Sequence, residues 1–231
     1  MMPDIFSIFD PSTNTIFHYS PLMMWLVSLF ALLLISSPLW LCTPTLTIVM
    51  YSASKLMLQQ SSQTLTRHLK GLPTGLSATF VFLVLVNLST MIPYSFNPSS
   101  HLLFSLTLGL VMWLALTLSS MTKSSSYLAG LLPMGAPDWL SPALVLMESM
   151  SILLRPITLS FRLAANMTAG HIIFSLLATY MVPAMTSASF WSSLTFLLIL
   201  SGYCMFEFGI CAIQAYIFCL LLSLYANEHP M

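Results

Sequence analysis

Residues 140–180 read LSPALVLMESMSILLRPITLSFRLAANMTAGHIIFSLLATY, a run in which apolar side chains dominate. At about 1.5 Å per helical residue, a run of this length covers about 60 Å, twice the roughly 30 Å hydrocarbon core of a bilayer. A second apolar run, from about Phe190 to Tyr225, is nearly as long. Each run is therefore predicted to be a membrane helix that is either broken or strongly tilted, and Pro156 permits a break or a kink.

The composition of the whole chain places it in a membrane. Of 231 residues, 58% are hydrophobic and only 5% are charged, against about 25% charged residues in an ordinary soluble domain. So few charged side chains cannot cover a soluble fold of this size, and most of the surface must face lipid. The net charge of zero argues against a nucleic-acid partner, since phosphate binding needs clustered Lys and Arg. We predict an all-α integral membrane protein.

Apolar windows of spanning length organise the chain as one membrane domain, residues 1–231. Three shorter windows precede the two long runs, and they are Leu22–Leu41, Leu76–Ile92 and Leu102–Leu118. If each long run crosses once, about five membrane helices are expected. The predicted segments are an N-terminal segment (1–21), a first span (22–43), a connecting segment (44–75), the second and third spans (76–120), a loop (121–139) and a long helical hairpin (140–231).

The connecting segment contains KLMLQQSSQTLTRHLK, Lys55–Lys70, which resembles an amphipathic helix on the membrane surface with basic ends. With five crossings, this helix and the loop that follows the third span lie on the same side of the membrane. That side holds all the cations outside the long runs, which are Lys55, Arg67, Lys70 and Lys123. The opposite side receives Asp4 and Asp10 but no Lys or Arg. This distribution is the positive-inside pattern and supports the five-crossing topology.

Several ionisable residues lie inside the two long runs, where lipid makes charge costly. They are Glu148, Arg155, Arg162, His171 and Glu207. A charge at bilayer depth costs about 2.5–3.5 kcal/mol or more. Such a cluster indicates either structural ion pairs between helices or a path for protons or other ions. Glu148, Arg155 and Arg162 are spaced by seven residues and share one helix face, which Asn166 extends.

The two runs are predicted to fold back on each other, because TSAS (residues 186–189) lies between them and favours a turn. In an antiparallel hairpin, facing residues have a constant sum of residue numbers. The candidate facing pairs, with sums of 376 to 378 and a turn at residue 188 or 189, are Glu148 with Glu228, Arg162 with Gln214, and His171 with Glu207.

This register produces three polar levels. His171 and Glu207 form a titratable pair near the turn, suited to taking up or passing on a proton, and Glu148 and Glu228 form a carboxylate pair at the other end. Arg162 lies between them, and a guanidinium keeps its protons. Protons must therefore cross the middle on something else, and a carboxylate on a moving partner would be ionised beside Arg162 and protonated elsewhere. The small residues that would let a partner helix come close are Ala164, Ala165, Ala169 and Gly170.

The remaining charged and thiol groups have simpler interpretations. Arg155 is either a second cation for the same carboxylate or a structural partner of Glu148. The cysteines (Cys42, Cys204, Cys211 and Cys219) form no CxxC pair and are interpreted as small packing residues, so neither a metal nor a cofactor is expected. The histidines outside the spans, His101 among them, are expected to be solvated.

Two stretches closely resemble the signatures of subunit a of the F-type ATP synthase in its mitochondrial form. They are SFRLAANMTAGH (residues 160–171) and EFGICAIQAYIFCLLLSLY (residues 207–225). Further similarity lies in FSIFDPST (6–13), NLSTMIPYSF (87–96) and LLPMGAPDWL (131–140). The resemblance therefore runs essentially from end to end, and the stretch around Arg162 is its most specific part.

The resemblance implies the membrane half of a rotary motor, in which two aqueous half-channels meet a rotor ring of c subunits and the two long helices lie tilted against it. Arg162 matches the essential arginine, His171 and Glu207 match the pair on the intermembrane-space side, and Glu148 and Glu228 match acidic positions of the matrix-side half-channel. Asn166 and Gln214 match polar residues beside the arginine. Arg155 lies at a position that varies in the family, so the resemblance implies a secondary role for it. Many relatives have Asp where this chain has Glu228.

The resemblance also implies a location and partners. The chain is expected in the mitochondrial inner membrane as a multi-pass protein, with its N-terminus in the intermembrane space and its C-terminus towards the matrix. The implied partners are the rotor ring of c subunits, the peripheral-stalk subunit b and small membrane subunits such as subunit 8. The chain is not expected to be catalytic by itself, since no phosphate-binding GxxxxGK[ST] loop occurs in it.

Two alternatives remain open at this point. A proton-translocating secondary transporter or redox-pump subunit would usually have internal repeats or broken spans in matching halves, and the sequence has neither. A structural membrane anchor would use its buried charges only for pairing, and it would tolerate Lys in place of Arg162.

Overall fold

A computed structural model of the chain describes residues 9, 45–69, 71–91, 96–123, 127, 129–130, 132, 139–187 and 190–227. The regular secondary structure of this part of the chain is entirely helical. Its α-helices are α1 (Thr45–Gln63), α2 (Leu72–Ser89), α3 (Leu102–Met121), α4 (Ser141–Ser187) and α5 (Phe190–Asn227). Short 3-10 turns follow α1 and precede α3, at Leu65–His68 and Pro98–Ser100. The predicted all-α class is confirmed.

Four of these helices, α2 to α5, are long and apolar enough to cross a membrane. They correspond to the second and third predicted spans and to the two arms of the hairpin. The predicted first span, residues 22–43, lies outside the described residues. The helix predicted over Lys55–Lys70 is present as α1, but it extends back to Thr45 and ends at Gln63. The amphipathic pattern therefore located the helix, but it misplaced the start by ten residues and the end by seven.

The first arm of the hairpin, α4, is one continuous helix of 47 residues that contains Pro156 and Pro183. At about 1.5 Å per residue it is about 70 Å long. The helix is not broken at Pro156, although proline has no N–H to donate to the preceding turn. A helix of this length fits a hydrocarbon core of about 30 Å only if it tilts strongly or extends beyond it.

The core lies where α2 and α5 pack against each other and against α1, α3 and α4. The helices α2 and α5 run antiparallel, since the Thr79 hydroxyl lies 3.7 Å from Cys219 Sγ and Asn87 Nδ2 donates to the Cys211 carbonyl at 3.4 Å. Cys211 and Cys219 are fully buried, in agreement with their interpretation as small packing residues. The antiparallel register fixes which end of α2 faces which level of the hairpin.

The helix α3 packs closely on α4 because Gly109 has no side chain. A Cβ at Gly109 would lie 3.5 Å from the Pro156 carbonyl oxygen and 3.6 Å from Ser160 Cβ. These are ordinary van der Waals distances, so a methyl group fits and a larger side chain does not. The contact holds α3 against the part of α4 just before Arg162.

Gly109→Leu is therefore expected to destabilise the protein by about 1–3 kcal/mol, because the larger side chain must push α3 away from α4. Gly109→Ala, the matched control, should cost less than about 1 kcal/mol because its Cβ meets only ordinary contacts. Thermal unfolding of the purified complex measures both variants. Equal stability of the Leu variant and the parent would show that the two helices do not approach as closely as described.

Candidate functional site

Arg162 lies in the middle of α4 with its side chain exposed. Its neighbours Leu159 and Leu163 are 2% and 0% exposed, and their burial fixes the rotation of α4 so that Arg162 points out of the bundle. Within the described part of the chain, the guanidinium makes no ion pair or hydrogen bond. Ala165 and Ala169 are also exposed, three and seven residues further along. The cation thus lies on an outer face next to two of the predicted small residues.

Two other small residues predicted to admit a partner helix do not lie on that outer face. Ala164 is 5% exposed, and Gly170 is buried against α5. Their small size serves the packing inside the chain. Sequence spacing alone could not separate the two faces, because all four small residues lie within eight residues of Arg162.

Asn166, one turn beyond Arg162, links the two arms of the hairpin. Its Nδ2 donates to Gln214 Oε1 of α5 at 2.7 Å. Asn166 is exposed and Gln214 is 3% exposed, so the hydrogen bond spans from the surface to the interior. Both residues line a cleft of about 320 Å³ between α4 and α5. The remaining lining residues are Ala169, Gly170, Ile173, Tyr203, Phe206, Ile210, Ile213 and Ile217.

The register of the hairpin differs from the predicted one at this level. Gln214 was expected opposite Arg162, and its partner is instead Asn166, one helical turn further along α4. The residue numbers of Asn166 and Gln214 add up to 380. Arg155 and Tyr225 also add up to 380, and the guanidinium lies 5.0 Å from the ring centre. The predicted sum of 376 is therefore wrong here by four residues, or about one turn. The predicted turn at residue 188 or 189 lies outside the described residues, between the end of α4 at Ser187 and the start of α5 at Phe190.

This register predicts a specific cross-linking pattern. Cysteines introduced at 166 and 214 should be joined readily by a short bifunctional thiol reagent, because the two native side chains are in contact. Cysteines at 162 and 214 should react more slowly, because Arg162 points outward and Gln214 is buried. Gel mobility of the cross-linked chain measures both yields. A higher yield for the pair at 162 and 214 would show that the register predicted from the sequence is the correct one.

Glu207 of α5 is buried against α4 next to the cleft. It is 2% exposed, and its Oε1 lies 2.8 Å from the position that a Cβ would occupy on Gly170. The Tyr203 hydroxyl donates to the Gly170 carbonyl at 3.1 Å and so helps to hold the two arms together at this level. Gly170 therefore supplies the space that the carboxyl group of Glu207 occupies.

His171 lies at the same level of the hairpin as Glu207, as predicted, but the two are not joined directly. Among the described residues, neither His171 Nε2 nor either carboxyl oxygen of Glu207 has a hydrogen-bond partner, although all three atoms are buried. A direct hydrogen bond between the two side chains is thus not part of the structure.

At the other end of the hairpin, Arg155 is a partner of Glu148. Arg155 Nη2 lies 3.5 Å from Glu148 Oε1, and the guanidinium lies 5.0 Å from the centre of the Tyr225 ring. The structure therefore supports the interpretation of Arg155 as a structural partner of Glu148. The side chain of Glu148 is 44% exposed, so its carboxylate also remains accessible. Glu228, predicted to face Glu148, lies outside the described residues.

Polar residues that were not predicted as site residues also approach this region. Asn87 of α2 is fully buried against Cys211, and Asn97 in the loop between α2 and α3 is 5% exposed. His101 was expected to be solvated, but it is partly buried and stacks on Phe96 with ring centres 5.1 Å apart. This burial lowers the pKa of His101 below its ordinary value. Asn87 could have been found in the sequence as an asparagine inside an apolar span, whereas no sequence signal indicated the burial of Asn97.

The described residues contain no group of three His, Cys, Asp or Glu side chains placed to hold a metal ion. The site consists instead of one exposed cation, one buried carboxyl group, one partly buried imidazole and a bridging pair of amides. Such groups can hold a charge, exchange protons and bind water. None of them is arranged as a nucleophile and base.

Comparison with known proteins identifies relatives over the full length of the chain. A family described as "ATP synthase A chain" matches residues 17–227. The chain is 40% identical over 232 residues to "ATP synthase subunit a" of Albinaria caerulea, with 100% of both chains covered. It is 35% identical over 237 residues to the protein of the same name from Drosophila melanogaster, with 99% of each covered. It is 32% identical over 231 residues to "ATP synthase F(0) complex subunit a" of Rhopalosiphum padi, covering 99% of this chain and 100% of that protein.

Proposed function

This chain belongs to the ATP synthase A chain family, and from that premise we propose that it passes protons through two offset half-channels to and from carboxylates on a rotor ring. The flow of protons drives rotation of the ring and thereby ATP synthesis. In this function the chain is the stationary membrane subunit of the motor and carries out no ATP chemistry itself.

The single observation that carries the proposal is the exposed guanidinium of Arg162. A charge on the outer face of a bundle of membrane helices is costly unless an anion or water meets it, and no carboxylate of the described residues forms an ion pair with Arg162. A carboxylate on a passing partner is held ionised at that point, because an opposite charge close by favours its charged form. When the partner moves away from Arg162, the carboxylate takes up a proton.

The other polar groups lie on either side of Arg162 along α4. His171 follows it by nine residues and Glu148 precedes it by fourteen, which at 1.5 Å per residue correspond to about 14 Å and 21 Å. The guanidinium does not release protons, so it blocks direct passage between the two ends. We assign uptake to the end with His171 and Glu207, and release to the end with Glu148, to which Glu228 also belongs in the sequence-based proposal.

The alternative of a structural ion-pair anchor has one supporting contact, that between Arg155 and Glu148. It gives no account of Arg162, which remains outside that pair although it lies on the same helix. Asn166 and Gln214, hydrogen-bonded at 2.7 Å, supply polar surface next to Arg162 in the cleft. The proton-transfer proposal uses these groups, and the anchor leaves them without a role.

We further propose the partners and location that accompany this function. The partners are a rotor ring of c subunits facing Arg162, a peripheral-stalk subunit b and small membrane subunits such as subunit 8. The membrane is the mitochondrial inner membrane, with the N-terminus in the intermembrane space and the C-terminus towards the matrix. The exposure of Lys55, Arg67 and Lys123 agrees with a matrix side rich in cations.

The experiment that tests the proposal replaces Arg162 in the assembled complex. ATP synthesis driven by a proton gradient, and proton flux through the membrane sector, are measured for Arg162→Gln and Arg162→Ala. Normal coupled synthesis in either variant would refute the proposed function.

A further inference from the structure

The guanidinium of Arg155 lies between a carboxylate and an aromatic ring. Its Nη2 is 3.5 Å from Glu148 Oε1 on the same helix, and its central carbon lies 5.0 Å from the centre of the Tyr225 ring on α5. The ion pair is formed within α4, whereas the ring comes from the opposite arm of the hairpin. The cation therefore connects the carboxylate of Glu148 to the end of α5.

The ion pair by itself would order Glu148 only weakly. The side chains of Arg155 and Glu148 are 19% and 44% exposed, and ion pairs that are open to solvent gain little, because two long side chains lose rotamer freedom when they pair. The seven residues between them correspond to about 10 Å along the axis of α4. Because helical side chains lean towards the N-terminus, Arg155 leans towards Glu148, and the position of the guanidinium decides whether the pair forms.

Tyr225 is held in place by the packing of the last turns of α5. Its neighbours Leu222 and Ala226 are 0% and 1% exposed, and Tyr225 itself is partly buried against the same core. Asn227 accepts a hydrogen bond from the Leu65 N–H at 2.9 Å, which ties this end of α5 to the turn after α1. The Tyr225 ring thus presents a fixed aromatic face to the guanidinium.

An aromatic face is well suited to hold a guanidinium that also binds a carboxylate. The face of the ring attracts a cation that lies within about 6 Å of the ring centre. A guanidinium is planar and weakly hydrated, so it can lie against a ring while the N–H groups at its edge remain directed at a carboxylate. A second carboxylate in place of the ring would compete with Glu148 for the charge. Tyr225 can therefore fix Arg155 without weakening its attraction for Glu148.

We propose that Tyr225 is a positioning residue for proton release: its ring holds the guanidinium of Arg155, and Arg155 holds the carboxylate of Glu148 at the release end of the hairpin. Glu148 is the group that exchanges the proton, which it accepts as a carboxylate and gives up again to return to a carboxylate. Proton transfer requires donor and acceptor within hydrogen-bond reach, so a carboxylate held at one place transfers protons faster than one that samples several positions. This inference rests on the proposed function, because that function is what gives Glu148 a proton to release.

The simpler interpretation is that Tyr225 only fills space at the edge of the core. Loss of the ring would then lower the stability of the complex, and its effect on proton flux would be the same with or without Arg155. A double-mutant cycle separates the two interpretations, since residues that act through one another have effects that do not add.

The first test is this cycle, measured as proton flux through the membrane sector of the assembled complex. Tyr225→Leu removes the ring and should reduce flux by about three- to tenfold, a change of the size that a contact between a cation and a ring produces in an equilibrium. Tyr225→Phe keeps the ring and should restore most of the flux. In an Arg155→Gln background, Tyr225→Leu should have no further effect, because the group through which it acts is gone.

Tyr216→Leu is the matched control for the cycle. Tyr216 is also partly buried against the core, but its hydroxyl accepts a hydrogen bond from Gln60 of α1, and it precedes Tyr225 by nine residues. Whatever flux Tyr216→Leu loses should be lost equally with and without Arg155→Gln. Additive effects for Tyr225→Leu as well, or equal losses in Tyr225→Phe and Tyr225→Leu, would overturn the inference. So would normal flux in Tyr225→Leu or in Arg155→Gln alone.

The second test follows the position of the guanidinium without relying on proton flux. Glu148→Cys places a thiol at the position of the carboxylate, and the rates at which an anionic and a cationic methanethiosulfonate reagent modify it are compared in the assembled complex. A guanidinium held close by favours the anionic reagent. The same complex without Glu148→Cys gives the baseline for the native cysteines.

The ratio of the two rates, anionic to cationic, should depend on the ring. Tyr225→Met fills the space of the ring with a flexible apolar side chain, which favours assembly, and it should lower the ratio by about twofold or more, because the charge is no longer held near the thiol. Tyr225→Phe should keep the ratio, and Arg155→Gln should lower it. An unchanged ratio in Tyr225→Met or in Arg155→Gln would overturn the inference.

Failure of this inference is distinguishable from failure of the proposed function. If both tests fail while Arg162→Gln still abolishes ATP synthesis, Tyr225 is only a packing residue and proton transfer at Arg162 stands. If Arg162→Gln synthesises ATP normally, the proposed function falls, whereas the ratio of labelling rates still reports whether Tyr225 holds Arg155 beside Glu148.

Discussion

Complexes that carry Arg162→Gln are expected to lose ATP synthesis by about a hundredfold or more, the usual effect of removing a charged group that stabilises a reacting charge. Glutamine retains a polar side chain, which is shorter than that of arginine and carries no positive charge. A rotor carboxylate then has nothing to keep it ionised as it passes α4, and rotation is no longer coupled to proton release. The measurement is ATP synthesis driven by an imposed proton gradient in vesicles that contain the assembled variant.

Arg162→Lys separates the proposed function from a structural role for the charge. Lysine keeps the charge, so a purely structural cation would be replaced with little loss. Its ammonium group is a compact point charge that lacks the planar fork of a guanidinium and gives up a proton more readily when it is desolvated. We expect strongly reduced synthesis in this variant too. Near-normal synthesis with Lys, together with intact assembly, would favour the structural anchor.

Gly170→Ala is expected to reduce proton flux by about tenfold or more, because displacing a proton-transfer group by even an ångström is costly. The added Cβ would lie 2.8 Å from Glu207 Oε1, which is too close for a carbon atom, and the carboxyl group must move. Since Glu207 is 2% exposed, it has little free space to move into. Proton flux driven by a gradient across reconstituted vesicles measures the effect.

Two further variants make the Gly170 prediction specific. Glu207→Asp shortens the side chain by one methylene, so the double variant with Gly170→Ala should recover part of the flux that the single variant loses. Gly75→Ala is the matched control, because a Cβ there meets nothing within 4 Å, and Ala favours a helix over Gly by about 1 kcal/mol. An active Gly170→Ala complex would mean that the position of the carboxyl group does not limit proton transfer.

Much of the architecture follows from local properties of the sequence. The hairpin turn was placed at residue 188 or 189, and the two helices end and begin at Ser187 and Phe190. The second arm was predicted within two residues of its end at Asn227, whereas the first continues to Ser187, seven residues beyond the predicted Tyr180. Pro156 did not break α4, because one missing hydrogen bond costs less than interrupting a helix that has no other way to satisfy its backbone in lipid.

The site was predicted less completely than the fold, and the reason differs from residue to residue. Arg162 and Glu207 were identified because a charge in an apolar run stands out by composition alone. The partner of Gln214 was misplaced by one turn, since the register of two packed helices depends on how their side chains interlock and not on which residues are polar. Asn87 went unnoticed because one uncharged polar residue in a span carries little signal until its burial against α5 is known.

The sequence by itself determined that most of the protein faces lipid and that it is helical. It also determined where the hairpin turns and which charged residues lie inside the long helices. These properties depend on composition and on backbone hydrogen bonding within a segment, which act over a few residues at a time. Only the tertiary structure decided that Arg162 faces outward while Glu207 faces inward, and that Asn166 is the hydrogen-bond partner of Gln214. These features depend on the rotation and register of helices packed against one another, and contacts between distant parts of the chain set both.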